Sequence, residues 1–249
     1  MKKRQLLSIG TNAKTVKGDK YGFLTGVLYL APSDISGHQV CPMAKMAACE
    51  KACLYTAGRG VFTSTQTARI NKTKEFFNEQ NEFMHTLVYS INALIKQAKK
   101  KGLTPLVRLN GTSDIRWENI RFEYNNKFLT IFEVFPDIQF YDYTKIVNRK
   151  DLPVNYDLTV SYSGAPGFQK YVQKAINAGE RIAVVFRHQE NIPESFLGME
   201  SIGGDDSDIR HIEPKNVVVA LYAKGKAKKD TSGFVIDSPR RIIPIQLAA

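Results

Sequence analysis

The sequence predicts an α/β protein built on a partial, TIM-like (β/α) barrel of about six parallel strands, and three observations carry that prediction. Short apolar runs bounded by turn residues recur along the chain, stretches with helical spacing lie between them, and runs such as IAVVF and NVVVAL are apolar on both faces. Strand and helix alternating in this way imply a parallel sheet covered by helices. A chain of 249 residues has the length of one α/β barrel domain. No internal repeat, low-complexity tract or linker rich in Pro, Gly or Ser divides it, so residues 1–249 are read as one domain.

The elements follow in order. FLTGVLYLAP (23–32) is the first strand, and residues 33–60 after it form a loop. From Thr63 to Lys101, apolar residues at Phe76, Phe77, Met84, Leu87, Val88, Ile91, Leu94 and Ile95 recur with i, i+3, i+4 spacing, which predicts one or two amphipathic helices ending at Gly102. TPLVRLNG (104–111) is the second strand. Residues 117–136 start irregularly around YNN and end helically, with Pro136 as the stop before the third strand, DIQFYDYT (137–144). YDLTVSYSG (156–164) is the fourth strand, PGFQKYVQKAINAGE a helix with Pro166 near its start, RIAVVFR (181–187) the fifth strand and KNVVVALYAK (215–224) the sixth. The stretch between the last two strands reads as a loop with short pieces.

Charge narrows the partner class. Thirty-five Lys and Arg against 24 Asp and Glu leave a formal charge of +11, a field that attracts polyanions and points to nucleic acid or a nucleotide. No apolar run approaches the roughly 20 residues that cross a bilayer. The start, MKKRQLLSIGTNAK, has a charged head without an apolar h-region, so the chain is expected to be cytoplasmic and without a membrane partner. Three cysteines, an odd number, argue against a disulfide framework.

Those cysteines hold the sharpest signal. Cys41, Cys49 and Cys53 are spaced C-x7-C-x3-C in CPMAKMAACEKACLYTAGRG, directly after the first strand. In parallel β/α folds the reacting groups gather at the carboxyl ends of the strands. Three thiolates there can bind three irons of a 4Fe-4S cluster and leave the fourth iron open. Zinc is the alternative, with His38 as the fourth ligand of a closed Cys3His site. Arg59, just beyond, is placed to face an anionic ligand.

Other strand exits carry polar groups. NGTSDIRWE offers Asn110, Thr112, Ser113, Asp114, Arg116 and Glu118, with Gly111 allowing a tight turn; Ser113 or Asp114 also suits a helix N-cap. FYDYTK offers Asp142, Tyr143 and Lys145; SYSG offers Ser161 and Ser163; FRHQE offers Arg187 and His188. The run AKGKAKKDTSG brings Lys224, Lys226, Lys228 and Lys229 to the same rim, where lysines contact phosphate without reading sequence. Together these groups ring a pocket suited to a nucleotide-like ligand.

The segments NAKTVKGDKYGFLTGVLYLAP, VCPMAKMAACEKACLYTAGRG, VRLNGTSDIRWE, FYDYTK and KGKAKKDTSGFVID resemble a family of uncharacterised phage proteins related to the mycobacteriophage gene product 88 family. The resemblance covers most of the chain and implies a shared site without naming a reaction. A weaker likeness is to phage proteins with three clustered cysteines that look like radical S-adenosylmethionine enzymes, whose usual spacing is C-x3-C-x2-C. It implies an enzyme acting on nucleic acid or a nucleotide, with Asp114, Asp142 and Tyr143 as catalytic candidates and a cofactor site drawing on Asn110, Ser113, Asp114, Ser161 and Ser163. In that site Tyr143 and Ser161 line the ribose side, and Arg187, Lys224 and Lys228 meet phosphate. The alternative is a non-enzymatic module in which zinc staples the loop and the basic rim holds DNA or RNA. The phage setting also brings in DNA-guanine transglycosylases, zinc-bearing barrels that exchange a base; that likeness implies Asp114 or Asp142 as nucleophile.

Overall fold

The computed structural model describes residues 4–10 and 16–237; the charged head at residues 1–3 and residues 12–15 of the first family-like segment lie outside them. Among the described residues the main sheet has nine strands. The six predicted strands are all present as β2 (Phe23–Leu28), β3 (Thr104–Arg108), β6 (Gln139–Thr144), β7 (Tyr156–Ser161), β8 (Ile182–Phe186) and β11 (Val218–Tyr222). They lie side by side in chain order and pair in parallel throughout. Three strands were not anticipated. β10 (Met199–Gly203) adds a further parallel strand beside β11, while β1 (Leu7–Ile9) and β9 (Ser195–Phe196) close the two ends antiparallel. The result is a mixed α/β fold on a mostly parallel nine-strand sheet, with β1 and β9 as its end strands.

Helices cover one face. The helical stretch resolves into two, α1 (Thr63–Asn78) and α2 (Gln80–Lys101), broken at Glu79. α2 ends where predicted, on a left-handed Gly102 (φ 65°), with Lys99, Lys100 and Lys101 in the last turn answering the helix dipole. Its stripe of Phe83, Met84, Leu87, Val88, Ile91 and Leu94 is buried against Leu24, Leu28, Val107 and Phe140 of the sheet, each large side chain contributing about 2 kcal/mol of apolar burial. Over β7, β8 and β11, Val160, Val184, Phe186 and Val218 pack on Val172 and Ala175 of α4 (Gln169–Asn177). The segment read as irregular around YNN is a two-stranded hairpin, β4 (Phe122–Tyr124) and β5 (Lys127–Leu129). Asn125 and Asn126 take φ of 51° and 60°, the conformation that a two-residue hairpin turn requires. The helical end shrinks to α3 (Ile131–Val134), capped by Thr130 and Glu133 and finished before Pro136.

Side chains alternate across a strand, so the opposite face carries Thr25, Arg108, Tyr141, Thr159 and Arg181, all buried. The segment between β10 and β11 covers it. Ile209 packs on Leu106 and Tyr141, and the His211 ring meets Phe23 edge-on at 5.3 Å. Asp208 pairs with Arg108 at 2.6 Å and accepts the Tyr143 hydroxyl at 3.0 Å. A polar face is therefore buried under a polar strap. Among the described residues no helix is long and apolar enough to cross a membrane.

Gly111 shows why the exits of β2 and β3 run so close. Its backbone is not left-handed; the requirement is space, since a Cβ would stand 2.7 Å from the Leu28 carbonyl oxygen and 2.6 Å from the Tyr29 ring. Overpacking of this kind costs about 1–3 kcal/mol. Gly111→Ala is expected to lower the unfolding free energy by that amount, read as a lower urea midpoint at an unchanged m-value; an unaltered midpoint would contradict the close approach.

Candidate functional site

The loop carrying the three cysteines is fastened to the carboxyl ends of three strands. Asp114 N–H donates to Val40 O (2.8 Å) and the Thr112 hydroxyl to Leu30 O, both from the exit of β3. Ser163, after β7, donates to Ala47 O at 2.8 Å, and Ser232, beyond β11, to Ala48 O at 3.0 Å. Ala48 itself is left-handed (φ 51°) immediately before Cys49, a conformation that costs about 1 kcal/mol or more and persists only where the surroundings enforce it. The loop is thus a built part of the strand ends.

All three thiols are free and half-buried. Cys41 donates toward Thr112 O and Cys49 toward Ala44 O, each at 3.8 Å, whereas the Cys53 sulfur accepts Tyr55 N–H at 3.5 Å. Burial pushes the Cys41 thiol up to about 12, and Cys49 and Cys53 rise for the same reason. Two cations work against this: Lys145, just beyond β6, favours the thiolate of Cys49, and Arg69, followed by Lys145, favours that of Cys53. The Lys145 ammonium is enclosed and donates to Ser161 Oγ (2.7 Å), Ser161 O (3.2 Å) and Tyr162 O (3.2 Å), with the Phe234 ring 4.7 Å away. Burial lowers the Lys145 pKa; Cys49, Asp114, Cys41 and Cys53 oppose that shift. Three sulfurs thus share the field of one buried ammonium.

Several residues expected to hold a cofactor have bonds that build the loops. Asn110 Oδ1 accepts from Ser113 Oγ, Ile115 N and Trp117 Nε1, and its amide donates to Ile115 O. Ser113 is thereby committed to Asn110, and the Ser163 hydroxyl to Ala47. Asp114 accepts Thr144 Oγ1 at 2.7 Å and Lys145 N–H at 2.8 Å, with Arg149 3.8 Å away. Asp142 is wholly buried and accepts Asn110 N–H (2.8 Å), Leu109 N–H (3.2 Å) and the Tyr156 hydroxyl (3.0 Å); burial raises its pKa to about 7. Both carboxylates brace strand ends. The half-buried Tyr143 and Ser161 stand with Lys145 at or beside this mouth.

The rim is divided. Arg187 donates to Lys228 O (2.8 Å) and Asp230 O (2.6 Å) and pairs with Asp237, and Lys224 pairs with Asp205 at 2.9 Å. Lys228 and Arg59 are exposed. His38 stacks on Phe77, rings 4.3 Å apart and 4° from parallel, and His188 lies exposed beside Glu190. Among the described residues no group of three or more His, Cys, Asp or Glu side chains is arranged to hold one metal ion.

Sequence reasoning missed Arg69. It is buried on α1, its guanidinium 4.7 Å from the Tyr29 ring and 5.5 Å from that of Tyr55, and its Nη1 has no hydrogen-bond partner among the described residues. Its stretch, TARINKT, gives no signal of burial. Lys145 was visible at a strand exit, but its contacts come from Ser161, Tyr162 and Phe234, too distant in sequence to be read.

The thiol environment predicts slow alkylation. In metal-free, reduced protein, the reaction of Cys41 with iodoacetamide should still accelerate between about pH 10 and 11, where an ordinary thiol has levelled off. Mass spectrometry of each cysteine peptide reads the rates, and a plateau by about pH 10 for Cys41 would contradict its burial.

The chain matches the family model described as Gene product 88 over residues 4–238. No curated protein and no solved structure matches it. With the match covering nearly all of its length, the chain belongs to the gene product 88 family.

Proposed function

We propose that the protein carries a 4Fe-4S cluster on Cys41, Cys49 and Cys53, leaves one iron open for S-adenosylmethionine, and acts on a nucleic acid or nucleotide. The observation that carries this reading is the grouping of all three thiols, on one fastened loop at the strand ends, in the field of the enclosed Lys145 ammonium.

Two features support such a group and one opposes it. Thiolates rather than thiols bind iron, so metal has to displace protons that the raised thiol pKa values hold more firmly. Lys145 then offsets part of the negative charge that three thiolates bring into a poorly solvated place. Cys53 already accepts a backbone N–H, the kind of bond that tunes cluster potentials. His38, stacked on Phe77, lends no support to a Cys3His zinc site.

When bound, the cluster supplies a reducing electron and an open iron for a chelating molecule. The chain's own residues do the rest. Asp114 holds the end of β6 by its bonds to Thr144 and Lys145, which places the ammonium. Ser161 accepts from that ammonium and fixes its direction. Tyr143, held by Asp208, lies near the end of β6 on the polar face. The parallel strands in unbroken chain order support a sheet curled into a partial barrel, with this mouth at its carboxyl end. A base-exchange reading needs a carboxylate free to attack, and both Asp114 and Asp142 have their oxygens committed to braces.

Protein purified without oxygen should be brown and contain about four irons and four acid-labile sulfides per chain. Cys41→Ser, Cys49→Ser and Cys53→Ser should each lose most of that iron, and Lys145→Met should lose it faster than the parent on dilution. A colourless protein with one zinc per chain, or iron retained after all three serine substitutions, would overturn the proposal.

A further inference from the structure

Beside the thiol loop lies an open cleft of about 580 Å³, lined by Lys51, Lys226, Lys229, Asp230, Thr231 and Ser232. Lys51 comes from between Cys49 and Cys53; the other five follow β11. The two walls are joined. Ser232 Oγ donates to Ala48 O at 3.0 Å and Lys226 N–H to Thr56 Oγ1 at 3.4 Å. Gly225, at φ 56°, lies so close to the thiol loop that a Cβ would stand 2.8 Å from Thr56 O. Two segments far apart in sequence therefore make one cleft.

Its charge is one-sided. Lys51, Lys226 and Lys229 are exposed and enter no ion pair among the described residues. The one carboxylate in the lining, Asp230, is buried and occupied by its own loop, accepting from Ser232 Oγ (2.7 Å) and Val235 N–H (3.1 Å). The cations expected at this rim from the sequence, Arg187 and Lys224, are paired internally with Asp237 and Asp205. Free positive charge is left where the thiol loop and the lysine loop meet.

We infer that this cleft seats the phosphate backbone of a single nucleic-acid strand, so that a neighbouring nucleotide reaches the thiol mouth. The inference deepens the proposed function, resting on its nucleic-acid substrate and not on the cluster. Three ammonium groups around one depression match closely spaced phosphates. The volume is that of a small-ligand site, enough for a nucleotide or two and too little for the width of a duplex. Lysines read charge alone, so the seat sets position and leaves sequence choice to the mouth.

The test is the salt dependence of single-stranded DNA oligonucleotide binding, read by fluorescence anisotropy on the full chain. Each lysine that meets phosphate contributes about 0.7 to the slope of log K against log salt. The triple variant Lys51→Gln/Lys226→Gln/Lys229→Gln should therefore lose about 2 from the slope. A control triple at the far end of α2, Lys96→Gln/Lys99→Gln/Lys100→Gln, should keep the parent's slope. Equal slopes for parent and cleft variant, an equal loss in the control, or competition by polyglutamate as strong as by the oligonucleotide would overturn the inference. Iron content measured on the same samples reports on the cluster separately, so either reading can fail while the other stands.

Discussion

An ammonium enclosed in protein costs several kcal/mol unless its surroundings answer the charge, and at Lys145 the surroundings are the mouth of the sheet. Two carbonyls and a hydroxyl from the end of β7 accept its hydrogen bonds, Phe234 lies against it, and Asp114 faces it with the three thiols, which add negative charge only once they ionise. Those partners come from β3, β7, the thiol loop and the segment after β11, so the one charge ties together every strand exit that matters. The same field lowers the cost of making the nearest sulfurs anionic, which links the packing of the mouth to the chemistry proposed for it.

Around that centre the acidic residues serve as braces. Asp114 and Asp142 each accept backbone N–H groups from a neighbouring strand exit, replacing ladder bonds where the parallel pairing of β3 and β6 runs out. Bonds of this kind to a carboxylate contribute more than neutral ones. They let the loops after β3 and β6 leave the sheet without stranding buried donors, which is how a 34-residue excursion such as residues 29–62 can be anchored with little regular structure of its own. The polar face beneath the mouth follows the same logic, with Asp208 joining Arg108 and Tyr143 under the strap.

Much of the fold was legible because periodicity reports burial directly. All six predicted strands were readable from their apolar runs, as were the α2 stripe and its glycine stop. β10 and β9 were not, since MESIG and SF are short, half-polar segments whose claim to be strands is a neighbour to pair with. The β4–β5 hairpin hid behind a helical reading of its flanks although Asn125-Asn126 carried its turn signal. At the site, clustering of cysteines in sequence pointed correctly to a loop at the strand ends. The roles of the polar residues did not follow, because residue type cannot distinguish an Asp that faces a ligand from one that holds a loop. Asn110, Ser113 and Arg187 are loop builders here, and Arg69 and Lys51 gain their positions only through tertiary contacts.

The claim on which the account turns is that three sulfurs hold an inorganic centre with one coordination place left for a small molecule. Electron paramagnetic resonance of the anaerobically reduced protein tests it most directly, with spectra taken before and after S-adenosylmethionine is added. The account predicts a cluster signal whose shape shifts on addition, because the added molecule binds the iron that no protein group holds. A cluster signal indifferent to the addition, or no signal from protein whose three cysteines are intact, would contradict it.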